Sequence, residues 1–291
     1  MKYIERIQAG IAFIESSLES DFELHDVAKA AGMSQWHFQR IFKALTNETL
    51  KTYIRNRRLS QSLVALESSN QRILDIALQA GYESQEAYTR SFKMLFGITP
   101  KQYRQVECKK QWLKKSEITT DYLRHLNQNL DTLPDIRCQP EMFLVGLHTR
   151  FHSSDSDKNN IADKLPALWT AFLPRIKELN GYIVDDSTAY GVIQPVSDQS
   201  DLLEYYAAIE VQPNTPLPDG FASITVESAR YAKFAHQGRP QALDQTVNYV
   251  YSNWLLNQNY EHTQGPDIEI YGPEYKADSE ESCIYYAIPI V

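Results

Sequence analysis

Apolar residues recur every three or four positions through the first hundred residues, which is the spacing of one face of an α-helix. The first such run contains five residues: Ile4, Ile7, Ile11, Ile14 and Leu18. Gly and Pro interrupt the pattern at only a few points, so it predicts a series of short helices. Further along the chain, short apolar runs alternate with two long helical patterns, which predicts mixed strands and helices.

The two patterns predict two domains of different fold class. The patterns predict an all-α domain in residues 1–107 and an α+β domain in residues 136–291. Between them they predict a polar linker region, residues 108–135. In the last segment the order strand, helix, strand, strand occurs twice. This predicts a duplicated β-α-β-β unit.

A repeat of about fifty residues occupies the helical part. The segment "SQWHFQRIFK" (34–43) returns as "SQEAYTRSFK" (84–93). Asp26 and Gly32, which precede the first copy, recur as Asp75 and Gly81. Each copy therefore has a helix that starts near the Asp, a turn at the Gly, and a second helix. This order predicts a helix-turn-helix motif that is present twice.

Charge divides the chain in the same way. Residues 1–115 carry 18 Lys and Arg against 12 Asp and Glu, whereas the remaining residues carry 11 against 25. The basic part predicts a polyanionic partner, and the acidic part predicts a different role because phosphate would repel it. The three distant cysteines, and the lack of a membrane span or signal peptide in the sequence, predict a cytoplasmic protein.

The repeated helix offers a side for recognition of DNA. The apolar residues Phe38 and Phe42 indicate the face of the helix that packs in the core. Four other residues lie on the opposite face: Trp36, Gln39, Arg40 and Lys43. Gln suits an adenine edge and Arg a guanine edge, while an aromatic ring packs on a thymine methyl group. Two such motifs about 34 Å apart would let one monomer read two adjacent major grooves. The run "YIRNRRL" (53–59) adds Arg55, Arg57 and Arg58, as phosphate contacts or as ion pairs.

The helical part resembles the AraC/XylS family of bacterial transcription regulators over about residues 5–105. The resemblance is carried by three segments: "DVAKAAGMSQWHFQRIFK", "YIRNRRL" and "ILDIALQAGYESQEAYTRSFKMLFGITPKQYR". It implies a cytoplasmic, nucleoid-associated activator that binds promoter double-stranded DNA and works with RNA polymerase. On the first helix it implies Trp36, Gln39 and Arg40 as base-facing residues.

On the second helix the resemblance implies the corresponding residues: Gln85, Glu86, Thr89 and Arg90, with Lys93 as the counterpart of Lys43. Relatives tend to carry an amide where Glu86 stands. A carboxylate there accepts a hydrogen bond from cytosine N4, but it also repels phosphate. We therefore expect the second helix to hold DNA less firmly than the first.

The C-terminal part resembles the GyrI-like effector-binding domain, with "GPDIEIYGP" (265–273) among the closest segments. Glu269 lies between Ile268 and Ile270, which face the other side of a strand. Alternation alone fits either a solvent-facing Glu or a carboxylate below an aromatic cleft, and the resemblance favours the cleft. Four candidate wall residues suit a small hydrophobic or cationic effector: Trp169, Tyr190, Trp254 and Tyr271.

The leading hypothesis is therefore a DNA-binding regulator that responds to a small molecule. Two alternatives stay open for the acidic domain: a small-molecule hydrolase in which Glu269 is the base, and a protein-interaction or sequestration module. A lone Glu269 without a second evident acid or base argues against the hydrolase. His148 and His152 have the spacing of a metal-ligand pair, but they lie on a predicted strand and loop and lack the helical geometry that such a pair needs. The sequence carries no Gly-rich phosphate loop and no nucleophile elbow. It therefore predicts no metal, no cofactor, no catalytic residues and no enzymatic activity.

Overall fold

The computed structural model describes residues 2–105, 133–197, 200–277 and 279–291. These residues fall into two units, a helical one with residues 2–105 and an α+β one that begins at residue 133. The predicted fold class of each part is confirmed. The predicted linker region lies almost wholly outside the described residues, and its last residue, Asp135, begins a strand. The positions of the domain boundaries stay a prediction.

Two helix-turn-helix motifs and a connecting helix make up most of the helical unit. The described helices are α1 (Lys2–Ser17), α2 (Leu24–Ala30), α3 (Gln35–Thr46), α4 (Leu50–Ser68), α5 (Ile73–Gln79), α6 (Gln85–Phe96) and α7 (Pro100–Gln105). Helices α2 and α3 form the first motif and α5 and α6 the second, with α4 between them. Phe38 and Phe42, which were predicted as core, are fully buried, and so are Tyr88 and Phe92 at the corresponding positions of the second motif.

Local chemistry explains why both motifs turn at the same point. Gly32 and Gly81 adopt left-handed backbone, with φ of 63° and 79°, which costs a glycine little. Ser34 and Ser84 then cap the following helices. Each hydroxyl accepts a hydrogen bond from the backbone N–H three residues on, at 3.4 and 3.1 Å.

Helices α2 and α5 begin two residues earlier than Asp26 and Asp75, where the sequence predicted their starts. Both carboxylates occupy the third helical position, where they accept hydrogen bonds from the capping residue. Asp26 accepts from the backbone N–H of Glu23 at 2.9 Å, and Asp75 accepts from the Arg72 guanidinium at 2.9 Å. An Asp in the first turn thus marks a helix start without being its first residue.

The α+β unit is built on eight described strands. They are β1 (Asp135–Gln139), β2 (Met142–His152), β3 (Ala189–Pro195), β4 (Leu202–Glu210), β5 (Ala222–Val226), β6 (Ala229–Gln237), β7 (Asp267–Tyr271) and β8 (Cys283–Ile290). Helix α8 (Ile161–Phe172) continues as a 3₁₀ segment (Leu173–Leu179), and α9 (Leu243–Tyr249) continues through a π-helical segment (Val250–Trp254) into α10 (Leu255–Asn257).

The eight strands form one antiparallel sheet in the order β1-β6-β8-β7-β3-β4-β2-β5. Strand, helix, strand, strand occurs once from β2 to β4 and once from β6 to β8. The two halves meet where β3 pairs with β7 at the centre of the sheet. The predicted order is therefore present, and its origin by duplication stays a prediction.

Two details of the sheet differ from the sequence prediction. The predicted order has one strand before the second helix, whereas the stretch 221–238 contains two, β5 and β6. These strands pair at opposite ends of the sheet, β5 with β2 and β6 with β1 and β8. Strand β1 itself was not predicted. Its short polar sequence gives no strand pattern, and its pairing partner lies almost a hundred residues away.

Candidate functional site

The second recognition helix exposes the residues predicted to contact DNA. On α6, four of the five predicted side chains are exposed and Thr89 is half-buried. The exposed four are Gln85, Glu86, Arg90 and Lys93. Tyr88 and Phe92 hold the opposite side of the helix in the core. The arrangement presents one carboxylate, one amide and two cations on a single helix face.

The first recognition helix differs from its prediction. Trp36, Gln39 and Arg40 on α3 are only 3, 3 and 7% exposed. Lys43 is half-buried, and its ammonium donates a hydrogen bond to the carbonyl of Asn47 at the end of the helix. The predicted exposure of this side is therefore wrong for this conformation. Contact with bases stays a prediction, and it requires these side chains to become accessible.

The three arginines of the basic run on α4 make different contacts. Arg57 makes two hydrogen bonds of 2.8 Å to Glu15 on α1, and this contact raises the pKa of its guanidinium. Arg58 donates to the carbonyl of Ser20 at 2.8 Å. Arg55 is half-buried and reaches Thr52 at 3.3 Å. Of the two predicted roles, phosphate contact and ion pair, Arg57 therefore has the second within the described residues.

The second candidate site lies on the sheet face that carries α8. Glu269 on β7 is 7% exposed. Its Oε2 accepts hydrogen bonds from the hydroxyl groups of Tyr205 on β4, at 2.6 Å, and Tyr271, at 2.8 Å. Ile268 lies in the apolar cluster on the other face of β7, as alternation predicted. The carboxylate is therefore buried, and of the two alternatives that alternation allowed, a Glu269 that faces bulk solvent from an amphipathic strand is excluded.

Trp169 on α8 completes an aromatic shell around the carboxylate. Its indole Nε1 donates to Tyr205 Oη at 3.1 Å, and its ring meets that of Tyr271 edge-on at 5.0 Å. Tyr275 meets Tyr271 edge-on at 5.1 Å. Trp169, Tyr271 and Tyr275 are half-buried, so the shell has partly exposed aromatic surface above a buried carboxylate.

Gly191 on β3 provides the space for this arrangement. It is the direct strand partner of Glu269, so both residues face the same side of the sheet. A Cβ atom at position 191 would lie 2.0 Å from Tyr205 Oη and 2.7 Å from Glu269 Oε2. Only a glycine leaves room there for the hydroxyl–carboxylate contact.

Both tyrosines remain hydrogen-bond donors. Burial, and then the negative charge of Glu269, raise the pKa of Tyr205 well above its usual value, and the same causes raise the pKa of Tyr271. The two hydroxyls therefore stay protonated at neutral pH. They stabilise the charge of the carboxylate without cancelling it.

The structure does not bring the other two predicted wall residues to Glu269. Tyr190 is next to Gly191 on β3 and therefore faces the opposite side of the sheet, where it packs in an apolar cluster with Val192. Burial raises its pKa to about 12. Trp254 packs against Phe234 on β6, two strands away from β7. The structure thus places Trp169 and Tyr271 at the site, and it separates Tyr190 and Trp254 from it.

Sequence reasoning missed Tyr205 and Gly191. The pairing of β3 with β4 and with β7 brings both residues next to Glu269. The segments that separate these strands along the chain differ in length, so sequence spacing does not indicate the pairing. A weak signal was available, because Tyr205 and Ala207 alternate with Tyr206 along β4 and therefore share one face. Nothing local indicates which of the adjacent tyrosines faces the carboxylate.

The fold and the two sites define a class: a helix-turn-helix protein with a second domain built around a buried carboxylate. Residues 27–106 match the family described as helix-turn-helix domain. Residues 135–290 match the family described as integron-associated effector binding protein. The latter match spans more than half of the chain, and the chain belongs to this effector-binding family.

Curated relatives match either most of this chain or about a third of it. The chain is 28% identical to transcriptional regulator Rob of Salmonella typhimurium over 287 residues, which is 91% of each protein. Identity to the right origin-binding protein of Escherichia coli K12 is 29%, with the same coverage. Regulatory protein SoxS of Escherichia coli is 39% identical over 104 residues, 36% of this chain and 97% of SoxS. The predicted function, a transcription regulator with a helix-turn-helix domain and an effector-binding domain, is confirmed.

No helix in the described parts of the chain is long and apolar enough to cross a membrane.

Proposed function

We propose that the effector of this regulator is a small hydrophobic cation, which binds above Glu269. The observation that carries the proposal is a carboxylate that is 7% exposed and lies below half-buried aromatic rings. Hydroxyl groups of Tyr205 and Tyr271 hold the carboxylate in place, and these two neutral donors do not cancel its negative charge. Aromatic faces such as that of Trp169 attract cations. A flat or branched aromatic cation would pack against the aromatic rings and place its positive charge near the carboxylate.

The direct test is calorimetric titration of the full chain with tetraphenylphosphonium, with uncharged triphenylphosphine oxide as the matched ligand. We expect the cation to bind more tightly than the neutral compound. Glu269→Gln should weaken cation binding by about tenfold or more and leave the neutral compound unaffected. The control is Glu204→Gln, which removes a carboxylate from the opposite face of β4 and should leave cation affinity unchanged. Equal affinities for Glu269→Gln and the wild type would overturn the proposal.

We further propose that both recognition helices contact promoter DNA and that Glu86 contributes to specificity on α6. The exposed carboxylate of Glu86 suits cytosine N4, whereas an amide at the same position suits adenine. Selection of binding sites from random DNA should therefore show a preference for cytosine at one position of the second half-site. Glu86→Gln should move that preference to adenine, and Glu83→Gln, an exposed change in the preceding turn, should not. An unchanged preference with Glu86→Gln would contradict this assignment.

The contribution of α3 is tested separately. We propose that Arg40 reads a base once it becomes accessible, so Arg40→Ala should abolish the specific footprint. A footprint that survives Arg40→Ala would show that α3 does not read the promoter.

The regulator is proposed to act as a monomer on DNA in the cytoplasm and to work with RNA polymerase. A non-enzymatic role is supported by the hydrogen bonds from Tyr205 and Tyr271 to Oε2 of Glu269, because they already occupy one of the two oxygens with which a general base would accept a proton. Sedimentation of the DNA complex should give the mass of one chain per site. A mass of two chains per site would contradict the monomer.

A further inference from the structure

Residues that recur at equivalent positions of the two helix-turn-helix motifs serve either the fold that both motifs share or a surface that both motifs use. Many of the identical pairs serve the fold. They include helix caps, turn glycines and buried apolar residues: Ser34 and Ser84, Gly32 and Gly81, Ala28 and Ala77, Phe42 and Phe92. An identical pair that is exposed and has no such role therefore indicates a shared surface.

Lys51 on α4 and Lys101 on α7 are an exposed pair of this kind. Each lysine is the second residue of the helix that follows a recognition helix. Helix α3 ends at Thr46 and α6 ends at Phe96, five residues before the respective lysine. Within the described residues, neither ammonium group makes an ion pair or a hydrogen bond. The described fold therefore makes no use of these two charges.

The turn that carries each lysine has the same construction in both motifs. Thr49 and Thr99 cap the helices, and each hydroxyl accepts a hydrogen bond from the backbone N–H three residues on, at 3.1 and 3.2 Å. Two residues beyond the lysines, the buried Tyr53 and Tyr103 donate hydrogen bonds to carboxylates of α1 and α4. A cap on one side and a tyrosine on the other thus hold both lysines in the same position relative to a recognition helix.

This position suits contact with the DNA backbone. The major groove is about 12 Å wide, and the phosphates of the two strands flank it. A helix that reads the groove therefore has phosphates close to its ends, and an ammonium group held just beyond one end can contact a phosphate. Such a contact does not depend on base sequence. It therefore suits a residue that is the same in both motifs, whereas the reading residues Trp36 and Glu86 differ.

We propose that Lys51 and Lys101 are phosphate anchors, one for each recognition helix, which hold the two helices in equivalent positions on DNA. The proposal rests on the proposed contact of both recognition helices with promoter DNA. Reading residues select the sequence, and the anchors add the same attraction on any sequence. The anchor matters most for α6, because the carboxylate of Glu86 repels phosphate.

The test is the salt dependence of DNA binding by the full chain, measured by fluorescence anisotropy. One duplex carries a site selected from random DNA and the other an unrelated sequence. Lys51→Ala and Lys101→Ala should each lower the slope of log K against log salt by about 0.9, and the double variant by about twice as much. Each single change should weaken binding to both duplexes by about five- to tenfold at about 0.1 M salt.

Two sets of variants serve as controls. Lys51→Arg and Lys101→Arg should keep the slope, because phosphate contact needs the positive charge. Lys164→Ala removes an exposed lysine from α8 in the other unit, so it changes the net charge of the chain equally and should leave the slope unchanged. Urea denaturation of the alanine variants should match the wild type, which separates an anchor from a structural role.

An unchanged slope in either Lys51→Ala or Lys101→Ala would overturn the proposal, because it requires both anchors. An equal fall with Lys164→Ala would also overturn it, because net charge would then account for the slope. Failure of the proposed function has a different result. A wild-type chain that binds both duplexes equally would contradict promoter reading, and this inference would fail with it. A wild type that prefers the selected duplex, with unchanged slopes in the lysine variants, would refute the anchors alone.

Discussion

At position 191 the absence of a side chain determines whether Tyr205 reaches Glu269. The Oη of Tyr205 occupies the space that a Cβ atom would need, at 2.0 Å. The hydroxyl is in turn held by the indole N–H of Trp169. A chain of neutral donors thus ends on the carboxylate, and its geometry depends on contacts between β3, β4, β7 and α8. Substitutions in this chain should therefore weaken ligand binding as well as folding.

Gly191→Ala tests this dependence. The added methyl group should push Tyr205 away from Glu269, weaken binding of tetraphenylphosphonium by about tenfold, and cost about 1–3 kcal/mol of folding free energy. Calorimetry and urea denaturation measure the two effects. Gly272→Ala is the matched control, because a Cβ atom there meets no atom within 4 Å. Unaltered affinity in Gly191→Ala would show that the Tyr205 contact is not needed for binding.

Tyr88 allows a test at alkaline pH. Burial raises its pKa to about 12, against an opposing effect of the Ser62 hydrogen bond at 2.8 Å. The protonated form is thus favoured in the folded state. Its contribution to stability is complete below pH 10, the usual pKa of tyrosine, and is lost as the pH rises towards 12. The first motif has Phe38 at the equivalent position.

Tyr88→Phe should therefore be less stable than wild type by about 1 kcal/mol at pH 8, because the Ser62 contact is lost. The difference should shrink or reverse at pH 11, where only the wild type bears the cost of a buried ionising hydroxyl. Urea denaturation at both pH values measures this. A difference that is the same at pH 8 and pH 11 would contradict the raised pKa.

At the scale of elements, the two helix-turn-helix motifs repeat their supports as well as their turns. Tyr53 donates to Glu15 on α1 at 3.1 Å, and Tyr103 donates to Glu67 on α4 at 2.6 Å. Each motif is thus anchored by a tyrosine that follows it and a carboxylate on the helix that precedes it. In the first motif Arg57 also binds Glu15. Helices α1 and α4 are therefore joined by a charged network of Tyr53, Glu15 and Arg57.

Arg57→Ala should accordingly destabilise the helical unit. We expect a loss of about 2 kcal/mol, which allows for the partial exposure of the ion pair. The loss of stability is measured by urea denaturation, monitored through the far-UV circular dichroism signal of the helices. The salt dependence of DNA binding should be unchanged, because the guanidinium is already used within the unit. A lower salt slope would instead indicate a phosphate contact.

Arg55 is the matched comparison on α4. It was predicted as a phosphate contact or an ion pair. If it contacts phosphate, Arg55→Ala should lower the slope of log K against log salt by about one and weaken binding to all sequences alike. Stability should change by about 0.5 kcal/mol or less. The opposite result, a loss of stability with the salt slope intact, would assign Arg55 to the fold.

At the scale of the whole molecule, the two units carry opposite charge. The first 115 residues have six more basic than acidic side chains, and the others have fourteen more acidic than basic. An acidic domain tethered to a basic one weakens non-specific attraction to DNA at low salt. The acidic unit should therefore improve discrimination between promoter and other DNA.

A fragment of residues 1–107 should bind DNA of unrelated sequence more tightly than the full chain at low salt, and the difference should decrease as salt is added. Fluorescence anisotropy measures both affinities, and circular dichroism establishes that the fragment is helical. Equal non-specific affinities at low salt would contradict the electrostatic role of the acidic unit.

The sequence by itself determined the features that depend on neighbours along the chain. Helical periodicity, Gly32, Gly81 and the serine caps identified both helix-turn-helix motifs, and alternation placed Ile268 on the face away from Glu269. The tertiary structure decided the rest. Only strand pairing brings Tyr205 to Glu269, because the two residues are 64 positions apart. The burial of Trp36, Gln39 and Arg40 likewise depends on what surrounds α3, and helical spacing does not contain that information.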